Sequence, residues 1–164
     1  MTDQTSRATL TGDDLETWSS LATVLEWLPA ALDAQLQVDS DVTHFEYGIL
    51  YALGDAPEHR LRMSVLAGYA NSSLSRLSRA AARLEKRGWM QRMPDPTDGR
   101  YTLAILTEPG LAQVERATPG HVRTVRRLVL DPLTSAQRKQ LLEISRRVQH
   151  AIRGSSGWTP AATE

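Results

Sequence analysis

Ser73-Leu74-Ser75-Arg76-Leu77-Ser78-Arg79-Ala80-Ala81-Ala82-Arg83-Leu84-Glu85-Lys86-Arg87-Gly88 reads as one helix with two unlike faces. Leu74, Leu77, Ala81 and Leu84 recur at steps of three and four, so the spacing predicts a single buried stripe. Ser72, Ser75, Arg76, Arg79 and Arg83 fall on the other side, and that outer face carries no acid. Ser73 suits an N-cap, and Gly88 after Lys86 and Arg87 suits a C-terminal stop. A charged helix face taken alone is most often solvated surface, but such surfaces usually mix signs. Arginine and serine without acids suit a groove lined by phosphate and base edges. Arginine can hold a phosphate or grip guanine through two donors, and serine can donate to a phosphate.

The residues that follow extend this reading. Trp89-Met90-Gln91-Arg92-Met93 and Tyr101-Thr102-Leu103-Ala104-Ile105-Leu106 are short apolar-rich runs of strand character. Between them Pro94-Asp95-Pro96-Thr97-Asp98-Gly99-Arg100 is dense in turn formers. A helix followed by a two-stranded hairpin with a basic tip has the shape of a winged helix-turn-helix.

The order of these pieces resembles the MarR family of bacterial transcription regulators. The residues that carry the likeness are Leu66-Ala67, Ser73 to Arg79, Arg83 to Trp89, Asp95 to Arg100 and Leu106-Thr107-Glu108-Pro109-Gly110. No piece is specific alone, but together they match the family's pattern over some fifty residues. The resemblance implies a mainly α fold with a small β-hairpin wing, a winged helix-turn-helix flanked by helices that form a dimerisation region.

Composition sets the outer bounds. A chain of 164 residues with 41% apolar content can build one domain, or one domain with an oligomerising extension. The absence of cysteine excludes disulfide scaffolds, thiol redox sensing and thiolate metal sites. There is no membrane-length apolar run and no basic-then-apolar leader, so a cytoplasmic protein is expected. Net charge is zero but unevenly spread. Residues 1–60 hold 2 basic and 11 acidic side chains, residues 61–100 hold 8 and 3, and residues 101–164 hold 9 and 5. Binding responds to the field within a Debye length, about 8–10 Å, so the basic block matters more than the total.

Residues 1–10 are polar and read as frayed. Asp13 or Asp14 can cap a long helix to about Val38, with Leu15, Trp18, Leu21, Leu25, Leu28, Leu32 and Leu36 as its stripe. Pro29 predicts a kink or break there. Thr43-His44-Phe45-Glu46 has capping-box spacing and opens a helix that ends near Gly54. Residues 55–60 are then a loop. Leu61 to Met63 suits a short edge strand, Ser64 a cap for a brief helix to Tyr69, and Asn71-Ser72 a turn. Thr107 can cap a helix to about Leu130, carrying Leu111, Val114, Val122, Val125 and Val129. Pro119-Gly120 predicts a bend in it, or two helices in succession. Asp131-Pro132 predicts a turn, and Thr134 to Gln137 another capping box opening a last helix to about Ile152. The expected organisation is a winged helix-turn-helix over 39–107, a helical dimerisation region over 1–38 and 108–152, and a flexible tail over 153–164.

The flanking helices could simply complete one monomer's core. The resemblance implies instead that they interlock two copies, which places two recognition helices in successive major grooves of a palindromic site. On this reading the chain is a sequence-specific DNA-binding repressor. Ser75, Arg76 and Arg79 lie nearest the bases, and Ser73 and Arg83 hold phosphates. Arg100 enters the flanking minor groove. Asp98 either orients Arg100, as the family's wing acid does, or is a plain turn residue. Gly99 stands where the family often has a second basic residue. Many relatives also respond to a small aromatic or anionic effector, for which Trp18, Trp27, His44 and Tyr47 are candidates. Read from the residues alone, the two tryptophans are core stripe and His44 a helix-start residue.

Catalysis has little support. His44, His59, His121 and His150 are scattered without zinc spacing, and no phosphate loop or nucleophile elbow occurs. No cofactor or metal is expected. The remaining rival is a winged-helix dimer that binds only protein.

Overall fold

The computed structural model describes residues 9–156. In chain order it contains α1 (Gly12–Ser40), α2 (His44–Asp55), β1 (Arg60–Arg62), α3 (Met63–Tyr69), α4 (Leu74–Lys86), β2 (Met90–Pro94), β3 (Thr102–Leu106), α5 (Glu108–Val125) and α6 (Ser135–Ser156). A single π-helical turn, Arg126–Leu130, follows α5. The three strands form one antiparallel sheet in the order β1-β3-β2, with Leu61 opposite Ala104 and Met90 opposite Leu106. Among the described residues no helix is long and apolar enough to cross a membrane.

Four helix starts are written in their first side chains. Thr43 Oγ1 accepts from Glu46 N, and Glu46 Oε2 accepts from Thr43 N, both at 3.1 Å, which closes a capping box. Ser73 Oγ accepts from Arg76 N and Thr107 Oγ1 from Gly110 N, each at 3.2 Å. Thr134 and Gln137 close a second box at the head of α6. α4 ends on Gly88 at φ +72°, with Trp89 N donating to Leu84 O and Gly88 N to Glu85 O. A left-handed residue there closes the last turn, and glycine carries no Cβ penalty in that conformation.

The main core joins Ile49, Leu50 and Leu53 of α2 to Leu77, Ala80, Ala81 and Leu84 of α4 and to Met90, Ala104 and Leu106 of the sheet. Leu74, expected in that stripe, is 56% exposed, because it sits in the first turn beyond the end of the core. A second cluster of Leu36, Val42, Tyr47 and Ala117 joins α1, α2 and α5. Trp89 packs against both.

Two glycines set how closely α5 can approach its neighbours. A Cβ on Gly110 would lie 1.9 Å from the Trp89 carbonyl oxygen, so only glycine lets the start of α5 cross the start of β2. A Cβ on Gly120 would lie 3.0 Å from side-chain atoms of Gln35 and Asp39 on α1.

Several expectations are corrected. Of the alternatives expected at the prolines, the break at Pro29 and the second helix at Pro119-Gly120 do not occur, since α1 and α5 each run unbroken through them. A proline removes one helical donor, and packing of α5 along α1 and α2 holds the helix together despite the loss. The departure from α geometry comes later, at Arg126. Asp13 and Asp14 lie inside α1, whose N-cap is Thr11. Ser64 lies inside α3, and Arg62 occupies the N-cap position. α6 continues past Ile152 to Ser156, so the expected tail starts within a helix. The remainder of that tail and the first eight residues lie outside the described residues.

The flanking helices complete a single chain's core only in part, through the second half of α1 and through α5. No residue of α6 from Ser135 to Gly154 is buried. Leu15, Trp18, Leu21 and Leu25 of the α1 stripe are exposed, while Leu32 and Leu36 are buried.

Leu77→Ala should therefore destabilise the fold by about 2–5 kcal/mol, whereas Leu74→Ala should stay within about 0.5 kcal/mol. Gly110→Ala should cost about 1–3 kcal/mol or prevent folding, since the clash is with backbone. Urea titrations monitored by circular dichroism measure all three.

Candidate nucleic-acid interface

α3 and α4 are joined by a tight turn in which Asn71 takes φ +41°. Ala70 N, Asn71 N and Ser72 N donate to Leu66, Gly68 and Ala67 carbonyls respectively. This helix-turn-helix presents α4 on the surface, and polar contacts fix its roll. Arg83 Nε donates to Glu46 Oε1 at 2.7 Å, with the Glu46 carboxylate buried. Burial alone would raise that carboxyl's pKa. The Thr43 cap and Arg83 together outweigh burial and hold it below its usual value. Arg92 on β2 donates to Ser78 Oγ at 2.9 Å and to Glu85 Oε2 at 2.6 Å. Arg87 pairs with Asp41 at 2.8 Å and lies over the Trp89 ring.

These pairings divide the basic residues into two groups. Arg83, Arg87 and Arg92 are tied to acids of the same chain, whereas Ser75, Arg79 and Lys86 face solvent. Among the described residues Arg79 and Lys86 have no ion-pair partner. Arg76 is also exposed, and its guanidinium rests 4.3 Å above the Phe45 ring. The sequence pattern places Arg83 at a phosphate. The structure commits its Nε to Glu46, though the side chain remains 57% exposed.

The wing is built on two aspartates. Asp95 is buried, and its carboxylate accepts from Thr97 Oγ1 at 2.7 Å, Thr97 N at 2.9 Å and Arg62 Nε at 2.8 Å. The Thr97 hydrogen bonds, with Arg62 assisting, hold its pKa at about 2. Arg62 also lies 4.3 Å over the Tyr101 ring, so β1 anchors the base of the hairpin. Nothing in the sequence marked Arg62, because its partner lies 33 positions away. At the tip Arg100 pairs with Asp98 at 2.6 Å through Nη2, and its Nε donates to the same carboxylate. That contact lowers the Asp98 pKa and orients an otherwise exposed guanidinium.

The candidate effector residues do not converge. Trp18 and Trp27 are exposed on α1, Trp27 by 74%. His44 lines a cleft of about 720 Å³ with Asp33, Phe45, Tyr69 and Arg76. Tyr47 lines a different cleft of about 370 Å³ with Tyr51, Thr118 and His121. Among the described residues no group of three or more His, Asp or Glu side chains could hold a metal ion.

A helix-turn-helix followed by a three-stranded sheet with an arginine-tipped hairpin defines a winged helix-turn-helix protein. The family model described as MarR family matches residues 42–102. The chain is 44% identical to Sco3205, a MarR family transcriptional regulator from Streptomyces coelicolor solved in complex with DNA. The match has a TM-score of 0.85 and covers 90% of this chain and 92% of that one. It is 31% identical to AbsC, a MarR family transcriptional regulator from the same organism, with a TM-score of 0.85 and 90% and 99% covered. It is 26% identical to the PcaV transcriptional regulator from that organism, solved with its natural ligand, with a TM-score of 0.71 and 87% and 99% covered. No match was found among the curated proteins. The chain belongs to the MarR family of transcriptional regulators.

Two measurements separate scaffold from surface. Arg83→Ala should lower stability by about 1–3 kcal/mol by leaving the Glu46 carboxylate unpaired, while Arg79→Ala should change it by less than about 0.5 kcal/mol. Because the folded Asp95 carboxyl titrates at about 2, below its ordinary 3.8, its stabilisation is complete above 3.8 and is lost as pH falls towards 2. Asp95→Asn should therefore flatten that part of the stability–pH curve, read by melting temperature.

Proposed function

We propose that the chain acts as a homodimeric repressor that binds a palindromic duplex operator and is released by a small effector. The observation that carries this reading is the acid-free outer face of α4, with Arg79 and Lys86 unpaired among the described residues and Arg76 beside them. It is supported by the likeness to a relative solved in complex with DNA. In this reading α4 enters the major groove with Ser75, Arg76 and Arg79 at the bases and Ser73 at a phosphate. Arg83 reaches the backbone only with the nitrogens that Glu46 leaves free. Arg100, steadied by Asp98, enters the minor groove beside it.

Dimerisation is supported by the apolar side chains that a single chain leaves in water, Leu15, Trp18, Leu21 and Leu25 on α1 and Leu142, Ile144, Val148 and Ile152 on α6. Interlocking α1, α5 and α6 of two copies would cover them and relate the two recognition helices by a two-fold axis. The winged helix-turn-helix would then span 39–107, with 1–38 and 108–152 as the dimerisation region. The effector reading moves to the 720 Å³ cleft. Its wall combines His44 with aromatic and apolar side chains, and Arg76 of the recognition helix stands in it. Trp18 and Trp27 pass to the dimer interface. The setting is the bacterial cytoplasm, and no catalytic step is assigned.

The test uses a duplex enriched from a random pool by the wild-type protein. Wild type should bind it as a dimer, with affinity falling steeply as salt rises. Arg76→Ala and Arg79→Ala should each lose about 1–3 kcal/mol and relax base preference at one position per half-site. Arg100→Ala should weaken binding evenly across sequences, with a salt slope smaller by about 1. Weak binding indifferent to salt and to these substitutions would replace this reading with a protein-interaction module.

A further inference from the structure

The place where α1, α2 and α5 meet holds a group of side chains that duplex binding does not use. His44 is the first residue of α2, and its backbone N–H donates to Asp33 Oδ1 of α1 at 2.8 Å. Its ring stacks on that of His121 of α5, with centroids 5.6 Å apart and planes 29° apart. The His121 ring lies 4.7 Å from that of Tyr47, whose hydroxyl bonds Thr118 Oγ1 at 3.0 Å. His121 Nδ1 is buried without a hydrogen-bond partner among the described residues. The pair also touches two clefts, since His44 lines the larger and His121 the smaller.

We infer that the stacked His44–His121 pair is a proton-operated latch between the winged helix-turn-helix and α5, through which acidification weakens duplex binding. The inference rests on the DNA-binding reading above. The packing suits two neutral rings. α1 presents Asp33, α2 presents Tyr47 and Tyr51, and the turn after α5 presents Arg126 in the cleft that His121 lines. Arg76 of α4 shares the other cleft with His44. Asp33 alone attracts a proton, and it favours His44. A second proton on His121 would meet the charge on His44 and a nitrogen that has no acceptor. Two cations at this separation in a half-buried site repel, and the contact between α2 and α5 loosens. α2 carries Glu46, which holds Arg83 and so sets the roll of α4. Displacing α2 therefore reaches the reading helix.

Burial disfavours the charged form of both rings, so each pKa lies below the ordinary 6.5. The unfolded chain takes protons first, so stability is complete above 6.5 and is lost as pH falls below it.

The experiment measures anisotropy of the selected duplex with the full chain from about pH 7.5 to about pH 5 at fixed ionic strength, beside melting curves without DNA. Wild type should lose affinity by about tenfold or more between 6.5 and about pH 5, and its melting temperature should fall over the same range. His121→Phe, which keeps an aromatic ring and removes the titration, should hold both level, while His150→Gln should follow wild type. Proton NMR of wild type should give midpoints for His44 and His121 below 6.5. A flat wild-type profile, His121→Phe falling with wild type, or midpoints at or above 6.5 overturns the latch. Should His121→Phe not fold, the NMR midpoints decide. Absence of duplex binding at about pH 7.5 sinks the DNA-binding reading and the latch with it, whereas binding that is tight at about pH 7.5 and level down to about pH 5 sinks the latch alone.

Discussion

The buried Glu46 carboxylate is the contact on which the rest of the reading head depends. One oxygen closes the cap of α2 on Thr43, and the other receives Arg83 from α4. An unpaired carboxylate at that depth would take up a proton or draw in water, and the two helices would lose their mutual angle. A single side chain thus does two jobs, starting one helix and fixing the rotation of another. Everything α4 shows to solvent follows from that rotation.

Once α4 is set, the basic residues separate by role. Arg62, Arg83, Arg87 and Arg92 hold strands, caps and turns together through Asp95, Glu46, Asp41 and Glu85. Arg76, Arg79 and Lys86 are left on the surface, and Arg100 stands at the wing tip on its own acid. Of the first kind, the partly buried pairs Arg62–Asp95, Arg83–Glu46 and Arg92–Glu85 contribute through geometry and desolvated hydrogen bonds rather than raw attraction, whereas Arg87–Asp41 is exposed. The second kind keep their charge available to a partner. A count of arginines along the sequence sees one basic block, and the fold resolves it into frame and surface.

How much of this was legible follows from range. Local rules worked where the decisive partner lies within a few residues. The Thr43–Glu46 box, the Ser73 and Thr107 caps, the Thr134–Gln137 box and the Gly88 stop all stand where their spacing put them. The pattern failed where a distant element decides. Leu74 keeps the helical period but extends past the core that would cover it. Pro119-Gly120 reads as a breaker, yet α1 packs along it, with Gln35 and Asp39 lying close over Gly120. Trp18 and Trp27 read as core stripe, yet the single chain offers them nothing to bury against. Asp95 reads as one more turn former, and only the fold brings Arg62 to it. The pairing of Asp98 with Arg100 is implied by the family resemblance, and the residues alone leave Asp98 equally a turn former.

The near-contact of Gly110 with the Trp89 carbonyl has a mechanical corollary. With no room for even a methyl group there, the first turn of α5 is welded to the sheet, and the sheet to α4. At that end, α5, the sheet and α4 are obliged to shift together. The α2–α5 seam has no such weld, so it is the joint at which the scaffold can yield without tearing the wing from its root.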